Sequence, residues 1–257
     1  MQGTVNLERA LPVDGWLARF GRGLWPPRCL VCGEAAGGRL DLCAACADAL
    51  PWMPPACASC AMPLPAAAPR AVTRAGAPAP GPGRLCSACQ HDPPALSSVH
   101  AAFLYGFPLD RLLPRLKFHR DLAAGRLLAE AMAAAFCALP RPQAIVPVPL
   151  HRQRLRQRGY NQALELGRPL ARRLGVPLRR DLLRRTRDTA AQSRLDAGAR
   201  TANLRDAFEV PGQLAPPPHV ALVDDVMTTG ATLHAAAEAL LDAGAARVDA
   251  WVCARAP

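Results

Sequence analysis

Eight of the ten cysteines stand in four Cys-x-x-Cys pairs: Cys29/Cys32, Cys43/Cys46, Cys57/Cys60 and Cys86/Cys89. Two such pairs bring four thiolates, the soft donor set that closes a tetrahedral zinc site. Ten residues separate Cys32 from Cys43, ten separate Cys46 from Cys57, and 25 separate Cys60 from Cys86. The spacing predicts one site from Cys29, Cys32, Cys43 and Cys46 and a second from Cys57, Cys60, Cys86 and Cys89. An interleaved pairing and iron–sulfur ligation are compatible with the same spacing. With all ligands from protein, no coordination position stays open, so a structural role is expected. Few large apolar residues lie between 29 and 60, so metal binding would supply much of the folding energy there, on the order of 10 kcal/mol. Cys137 and Cys253 lie among apolar residues and are expected as buried thiols.

A second pattern points to phosphate. In Val220-Ala-Leu-Val-Asp-Asp-Val-Met-Thr-Thr-Gly-Ala-Thr232 an apolar strand ends in two carboxylates, passes a small-residue turn and enters a helix. Gly230 lets the backbone approach a ligand, and the turn aims N–H groups at one point, as a phosphate cradle requires. The hydroxyls of Thr228, Thr229 and Thr232 add donors. Asp224 and Asp225 repel phosphate. They suit sugar hydroxyls, or the charge of a metal that also holds phosphate. An ordinary Asx turn before an N-capped helix would use one Asp and one Thr and leave the rest of the run unexplained.

The charge of +11 is unevenly spread. Residues 151–209 carry 15 basic and 6 acidic groups, whereas 210–257 carry 2 and 5. Arg152, Arg154, Arg156, Arg158, Arg184 and Arg187 belong to this basic window. Such charge suits a diphosphate ligand or a nucleic-acid backbone. Base stacking on a single strand calls for aromatic platforms, and the window offers only Tyr160 and Phe208. A solvated arginine-rich surface is the plain alternative.

These groups must be held by folded elements. Glycine and proline are frequent but not periodic, and 51% of residues are apolar, which excludes collagen-like and wholly disordered chains. No apolar run reaches the roughly 18 residues of a membrane span. The 16–25 region is broken by Arg19 and Arg22 and lacks a signal-peptide core. A cytoplasmic protein without membrane insertion is therefore expected, in a reducing setting where paired cysteines hold metal. Residues 1–94 read as a lead-in, with a small helix at Trp16, Leu17 and Phe20, followed by the cysteine module. Its 61–84 stretch, rich in Ala, Pro and Gly, reads as a flexible insertion. Residues 95–257 read as an α/β domain. Strands are expected at 99–105, 144–148, 220–223 and 248–253. Helices are expected at 109–118, 122–139, 162–174 and 231–241. The alternation predicts a parallel sheet covered on both faces.

The 224–232 run resembles the phosphoribosyl-pyrophosphate (PRPP) motif of type I phosphoribosyltransferases. The wider pattern resembles the competence protein ComF family, a double zinc ribbon joined to a phosphoribosyltransferase-like domain. Leu24-Trp-Pro-Pro-Arg-Cys29, the cysteine pairs, Lys117-Phe118, Val146-Pro-Val-Pro-Leu-His151, Arg158-Gly-Tyr-Asn-Gln162 and the stretches 184–192 and 200–208 carry it. The 61–84 insertion has no counterpart in the pattern. The resemblance implies that Asp224, Asp225, Met227, Thr228, Thr229, Gly230, Ala231 and Thr232 bind the 5-phosphate and ribose of PRPP, with Asp224 and Asp225 in the catalytic role. It implies that Pro147, Val148, Pro149, Leu150, His151 and Arg152 form a loop for pyrophosphate and Mg²⁺, and that 182–208 is a hood over the ligand. Two zinc ions and PRPP–Mg²⁺ are the implied cofactor and ligand. Single-stranded DNA during uptake of transforming DNA, and a helicase or other competence protein, are the implied partners. Phosphoribosyl transfer is one implied activity. A non-catalytic nucleic-acid-binding adaptor, or a scaffold that retains the fold, is the alternative. The sequence offers no acceptor pocket.

Overall fold

The computed structural model describes residues 28–36, 40–65, 84–187 and 207–257. The expected helix at 16–20, most of the 61–84 insertion and 188–206 of the expected hood lie outside them. The chain divides into two compact units, Met1–Asp48 and Ala49–Pro257.

In the first unit, an antiparallel bridge between Arg28 and Ala35 closes a small turn around Cys29 and Cys32, and helix α1 (Ala44–Asp48) carries Cys46. The second unit begins with the other cysteine ribbon, including helix α2 (Ser87–His91). It continues into strand β1 (Ser98–Leu104), helices α3 (Leu109–Phe118) and α4 (Leu122–Phe136), and strand β2 (Ala144–Pro147). Helices α5 (Arg152–Arg158) and α6 (Gln162–Leu174) follow, then the two-residue strands β3 (Arg184–Arg185) and β4 (Phe208–Glu209). Strand β5 (His219–Met227), helix α7 (Ala231–Asp242) and strand β6 (Arg247–Arg255) complete it.

The main sheet is four-stranded, in the order β1-β6-β5-β2, with all pairs parallel. A wholly parallel sheet needs both faces covered. On one face Leu233, Ala236 and Leu240 of α7 join Val220, Leu222, Val248, Ala250 and Val252 in a common core. The intervening positions of β6 turn the other way, and Trp251 packs on Phe136 of α4 at 5.4 Å between ring centroids. Leu109, Leu112, Leu113 and Leu116 recur at helical spacing on α3 and are fully buried.

The second ribbon is fastened to the sheet. Val99 N–H donates to Ala58 O at 2.8 Å, Met53 N–H donates to Ala102 O at 3.0 Å, and Trp52 lies 4.6 Å from Phe103.

The parallel sheet and the 109–118 and 162–174 helices are as the sequence implies. Two expectations are corrected. The 220–223 strand runs on to Met227, because Asp224, Val226 and Met227 keep pairing with β6. Cys137 is exposed: it caps α4 one residue beyond its last buried side chain, Phe136. Cys253, in the interior of β6, is buried as expected.

Candidate functional site

The eight paired cysteines form two clusters in sequential order, Cys29–Cys32–Cys43–Cys46 and Cys57–Cys60–Cys86–Cys89. The four sulfurs of each lie within 4.8 Å of one another. A tetrahedron with Zn–S bonds of about 2.3 Å has edges of about 3.8 Å. The Sγ atoms of Cys32 and Cys43 stand 3.6 Å apart and those of Cys60 and Cys86 3.7 Å, so the donors fit a structural zinc ion. Backbone N–H groups aim at the sulfurs: Val31 at Cys29, Cys46 at Cys43, and Cys86 at Cys57. Burial pushes the Cys29 thiol up, but N–H donors from Cys32, Cys43 and Val31 outweigh it and bring it down to about 6. In the same cluster burial, then the neighbouring sulfurs, push Cys46 up to about 12. Four thiolates this close repel one another, so a cation is what allows all four to ionise.

The second site lies at the sheet. β2 and β5 are parallel neighbours with Pro147 opposite Val223, so the segments that follow them leave the sheet at the same end. Val148 N–H donates to Val223 O at 3.0 Å. Asn161 caps α6 by accepting from Ala163 N–H, and its Nδ2 donates to Val148 O at 2.9 Å. That ties the Arg158–Gln162 motif to the 147–152 loop. Pro147 and Val148 are buried, Pro149, Leu150 and His151 half-buried, and Arg152 exposed. His151 Nδ1 accepts from Gln153 N–H and caps α5.

Successive side chains of β5 point to opposite faces, so Asp224 and Asp225 diverge. Each folds back on the chain: Asp225 N–H donates to Asp224 Oδ1, and Val226 N–H donates to Asp225 Oδ1, both at 2.8 Å. Burial first, and the Asp225 charge second, push the Asp224 carboxyl up to about 8. Met227 is buried at the strand end, and Thr228 and Thr229 are exposed. Gly230 turns the chain at φ +80°, where a Cβ would stand 2.4 Å from Met227 Cε. Thr229 Oγ1 accepts from Ala231 N–H, and Ala231 and Thr232 open α7. Hydroxyls and backbone donors thus gather around one exposed turn.

Of the basic residues, Arg154 and Arg156 follow the 147–152 loop on α5, a helix with no buried side chain. Arg158 is used internally: its Nη1 donates to Gln162 Oε1 and its guanidinium lies over Phe118. Arg184 pairs with Glu209 at 3.6 Å, and exposed Arg187 lies just beyond β3. Sequence reasoning gave no role to Lys117, whose Nζ lies 2.8 Å from Asp225 Oδ2. Its rarity was a readable signal, for it is the only lysine in the chain.

Residues 21–90 match the double zinc ribbon domain family, and residues 161–257 match the phosphoribosyl transferase domain family. The DNA utilization protein YhgH of Salmonella typhi is 40% identical over 188 residues, covering 70% of this chain and 82% of that protein. The chain belongs to the ComF/YhgH family. Competence protein F of Haemophilus influenzae is 36% identical to this ComF-family chain over 179 residues, 66% of this chain and 78% of that one. Competence protein ComFC of Bacillus subtilis is 28% identical over 155 residues, 59% and 61% of the two chains. Among solved structures, the glutamine PRPP amidotransferase of B. subtilis aligns at 17% identity and TM-score 0.35, over 49% of this chain and 25% of that one. The orotate phosphoribosyltransferase of Aeropyrum pernix aligns at 22% identity and TM-score 0.32, over 55% and 60%. By its two family matches, the ComF-family chain joins cysteine ribbons to a phosphoribosyltransferase-like α/β fold. Among its described residues no helix is long and apolar enough to cross a membrane.

Proposed function

We propose that this ComF-family chain binds PRPP with Mg²⁺ where the 147–152 loop and the 224–232 run meet, and transfers its phosphoribosyl group. The carrying observation is the pairing of β2 with β5, which sets the two segments side by side at one end of the sheet. Asp224 accepts hydrogen bonds from the ribose hydroxyls, and Asp225, on the other face and paired with Lys117, holds the strand that presents it. Met227, Thr228, Thr229, Gly230, Ala231 and Thr232 wrap the 5-phosphate with N–H and hydroxyl donors. Pro147 to Arg152 face the diphosphate, with the Arg152 guanidinium supplying positive charge. Mg²⁺, when bound, would neutralise the departing pyrophosphate. The protein's share is fixed charge and orientation, without a covalent nucleophile.

Two zinc ions hold the ribbons. The names of the relatives, competence and DNA utilization proteins, support a role in uptake or handling of DNA, which this reading assigns to single strands in the cytoplasm. Calorimetric titration of PRPP–Mg²⁺ tests the ligand. Binding by the wild type that is lost in Asp224→Asn/Asp225→Asn supports it, and equal or absent binding in both removes it.

A second reading, a nucleic-acid-binding adaptor that does no chemistry, is favoured by α5, which exposes Arg152 and Arg156 and has no fully buried residue. Salt-sensitive single-strand binding that survives the aspartate changes and weakens without the 152–158 arginines would select it. A helicase or another competence protein would be the partner of either form.

A further inference from the structure

A cavity of about 430 Å³ lies between the 147–152 loop and the antiparallel pair β3–β4. Four arginines line it: Arg152 from the loop, Arg180 from the segment after α6, and Arg184 and Arg185 from β3. Asp181 is the one acidic residue of the lining, and both its carboxylate oxygens accept from Arg179, at 3.0 and 2.8 Å. Four guanidinium groups thus stand against one carboxylate within the lining, and Glu209, outside it, pairs with Arg184 at 3.6 Å. Arg185 is itself buried, held by its Nε donating to Arg187 O and by the Phe208 ring 5.4 Å from its guanidinium. Guanidinium groups gathered in a concave, partly desolvated site are the usual receptors for carboxylate and phosphate. The rest of the wall is apolar, from Pro149, Leu150, Leu183, Pro211 and Leu214. That combination suits one small molecule with an anionic group on an apolar or planar body.

We propose that this cavity binds the acceptor of the transfer reaction, and that the acceptor is a small organic anion carrying a carboxylate or phosphate. The inference rests on the PRPP reading above, because Pro149, Leu150 and Arg152 are shared between the cavity and the diphosphate loop. An acceptor seated here lies beside the departing group. In the transfer, the ribose C1–O bond to pyrophosphate breaks and its electron pair leaves on pyrophosphate. A nitrogen or oxygen of the acceptor bonds to C1 and releases its proton to water.

The test titrates the zinc-loaded full chain with benzoate, phenyl phosphate and neutral benzyl alcohol. The charged probes should bind and the alcohol should not. Arg180→Gln removes an exposed charge at the rim, so the protein should fold normally, and it should weaken both anions about tenfold. Arg185→Gln should abolish their binding, with thermal unfolding as the check on its fold. Equal binding of charged and neutral probes, or wild-type affinity in Arg180→Gln, overturns the site. A parallel PRPP–Mg²⁺ titration separates the two claims. If PRPP binds and the anions do not, the acceptor site fails alone. If the anions bind and PRPP does not, the cavity keeps its ligand class but loses its role as an acceptor site. Competition of a single-stranded oligonucleotide with phenyl phosphate, abolished by Arg180→Gln, would assign the cavity to a nucleic-acid backbone and overturn the small-molecule proposal.

Discussion

Lys117 Nζ stands 2.8 Å from Asp225 Oδ2, and the two residues are 108 positions apart in the sequence. The Asp225 side chain is 5% exposed and its other oxygen already accepts from Val226 N–H. The ammonium near the end of α3 therefore holds the Asp225 carboxylate in place beside the proposed ribose site.

Lys117→Met leaves that buried carboxylate without its counter-charge. We expect a loss of about 2 kcal/mol in urea denaturation, below the range for a fully buried pair because the lysine side chain is 25% exposed. PRPP–Mg²⁺ affinity should fall as well. In an Asp225→Asn background the same change should cost much less, because the charge it served is gone. Equal losses in both backgrounds would show that the pair has no specific link.

Asp224 carries a pH signature. Burial and the Asp225 charge raise its carboxyl from 3.8 to about 8. Between these values the folded chain holds a proton that the unfolded chain has released, so stability falls as pH rises through the window. Asp224→Asn lacks this titration. It should be the more stable protein by about 1 kcal/mol or more near pH 8 and nearly equal to wild type near pH 4. PRPP affinity of the wild type should rise over the same window, because only the ionised carboxylate accepts from both ribose hydroxyls. Urea midpoints and calorimetry at several pH values measure both.

Gly230→Ala places a Cβ at φ +80° and 2.4 Å from Met227 Cε. We expect a cost of about 1–2 kcal/mol from the left-handed backbone. PRPP binding should weaken as the turn opens. Pairing it with Met227→Ala removes the contact but not the backbone strain, so the double variant should stay destabilised.

Metal analysis should find two zinc ions per chain. Cys46→Ser should remove one and Cys89→Ser the other, since each belongs to a separate cluster. Cobalt substitution should give the absorption of tetrahedral thiolate sites at two equivalents.

Much of the frame was legible because it rests on local pattern. Leu109, Leu112, Leu113 and Leu116 announce an amphipathic helix, and the cysteine spacing announces the clusters. The extent of β5 was hidden, because two aspartates have poor strand propensity and only pairing with β6 keeps them extended. α5 was hidden because Arg-Gln-Arg-Leu-Arg-Gln-Arg has no apolar face, and its Leu155 is exposed. The 147–152 and 224–232 segments were readable one by one, whereas their adjacency is set by strand order. Arg152 and Arg184 stood out in the basic window, but their meeting in one cavity could not be read, because its walls come from residues 149–152, 180–185 and 211–214, distant in the chain.

Arg255, 5% exposed, donates through Nε to Cys60 O at 2.9 Å and through Nη1 to Met227 O at 3.3 Å. One guanidinium thus serves the carbonyl of a metal knuckle and the carbonyl that leads into the phosphate turn. Thermodynamic linkage makes any coupling through it mutual. To the extent that zinc steadies the turn for PRPP, PRPP must tighten the binding of zinc by an equal free energy. Oxidation of the Cys57–Cys89 ribbon would then register as a change in PRPP affinity, making the state of the thiols an input to the phosphate site.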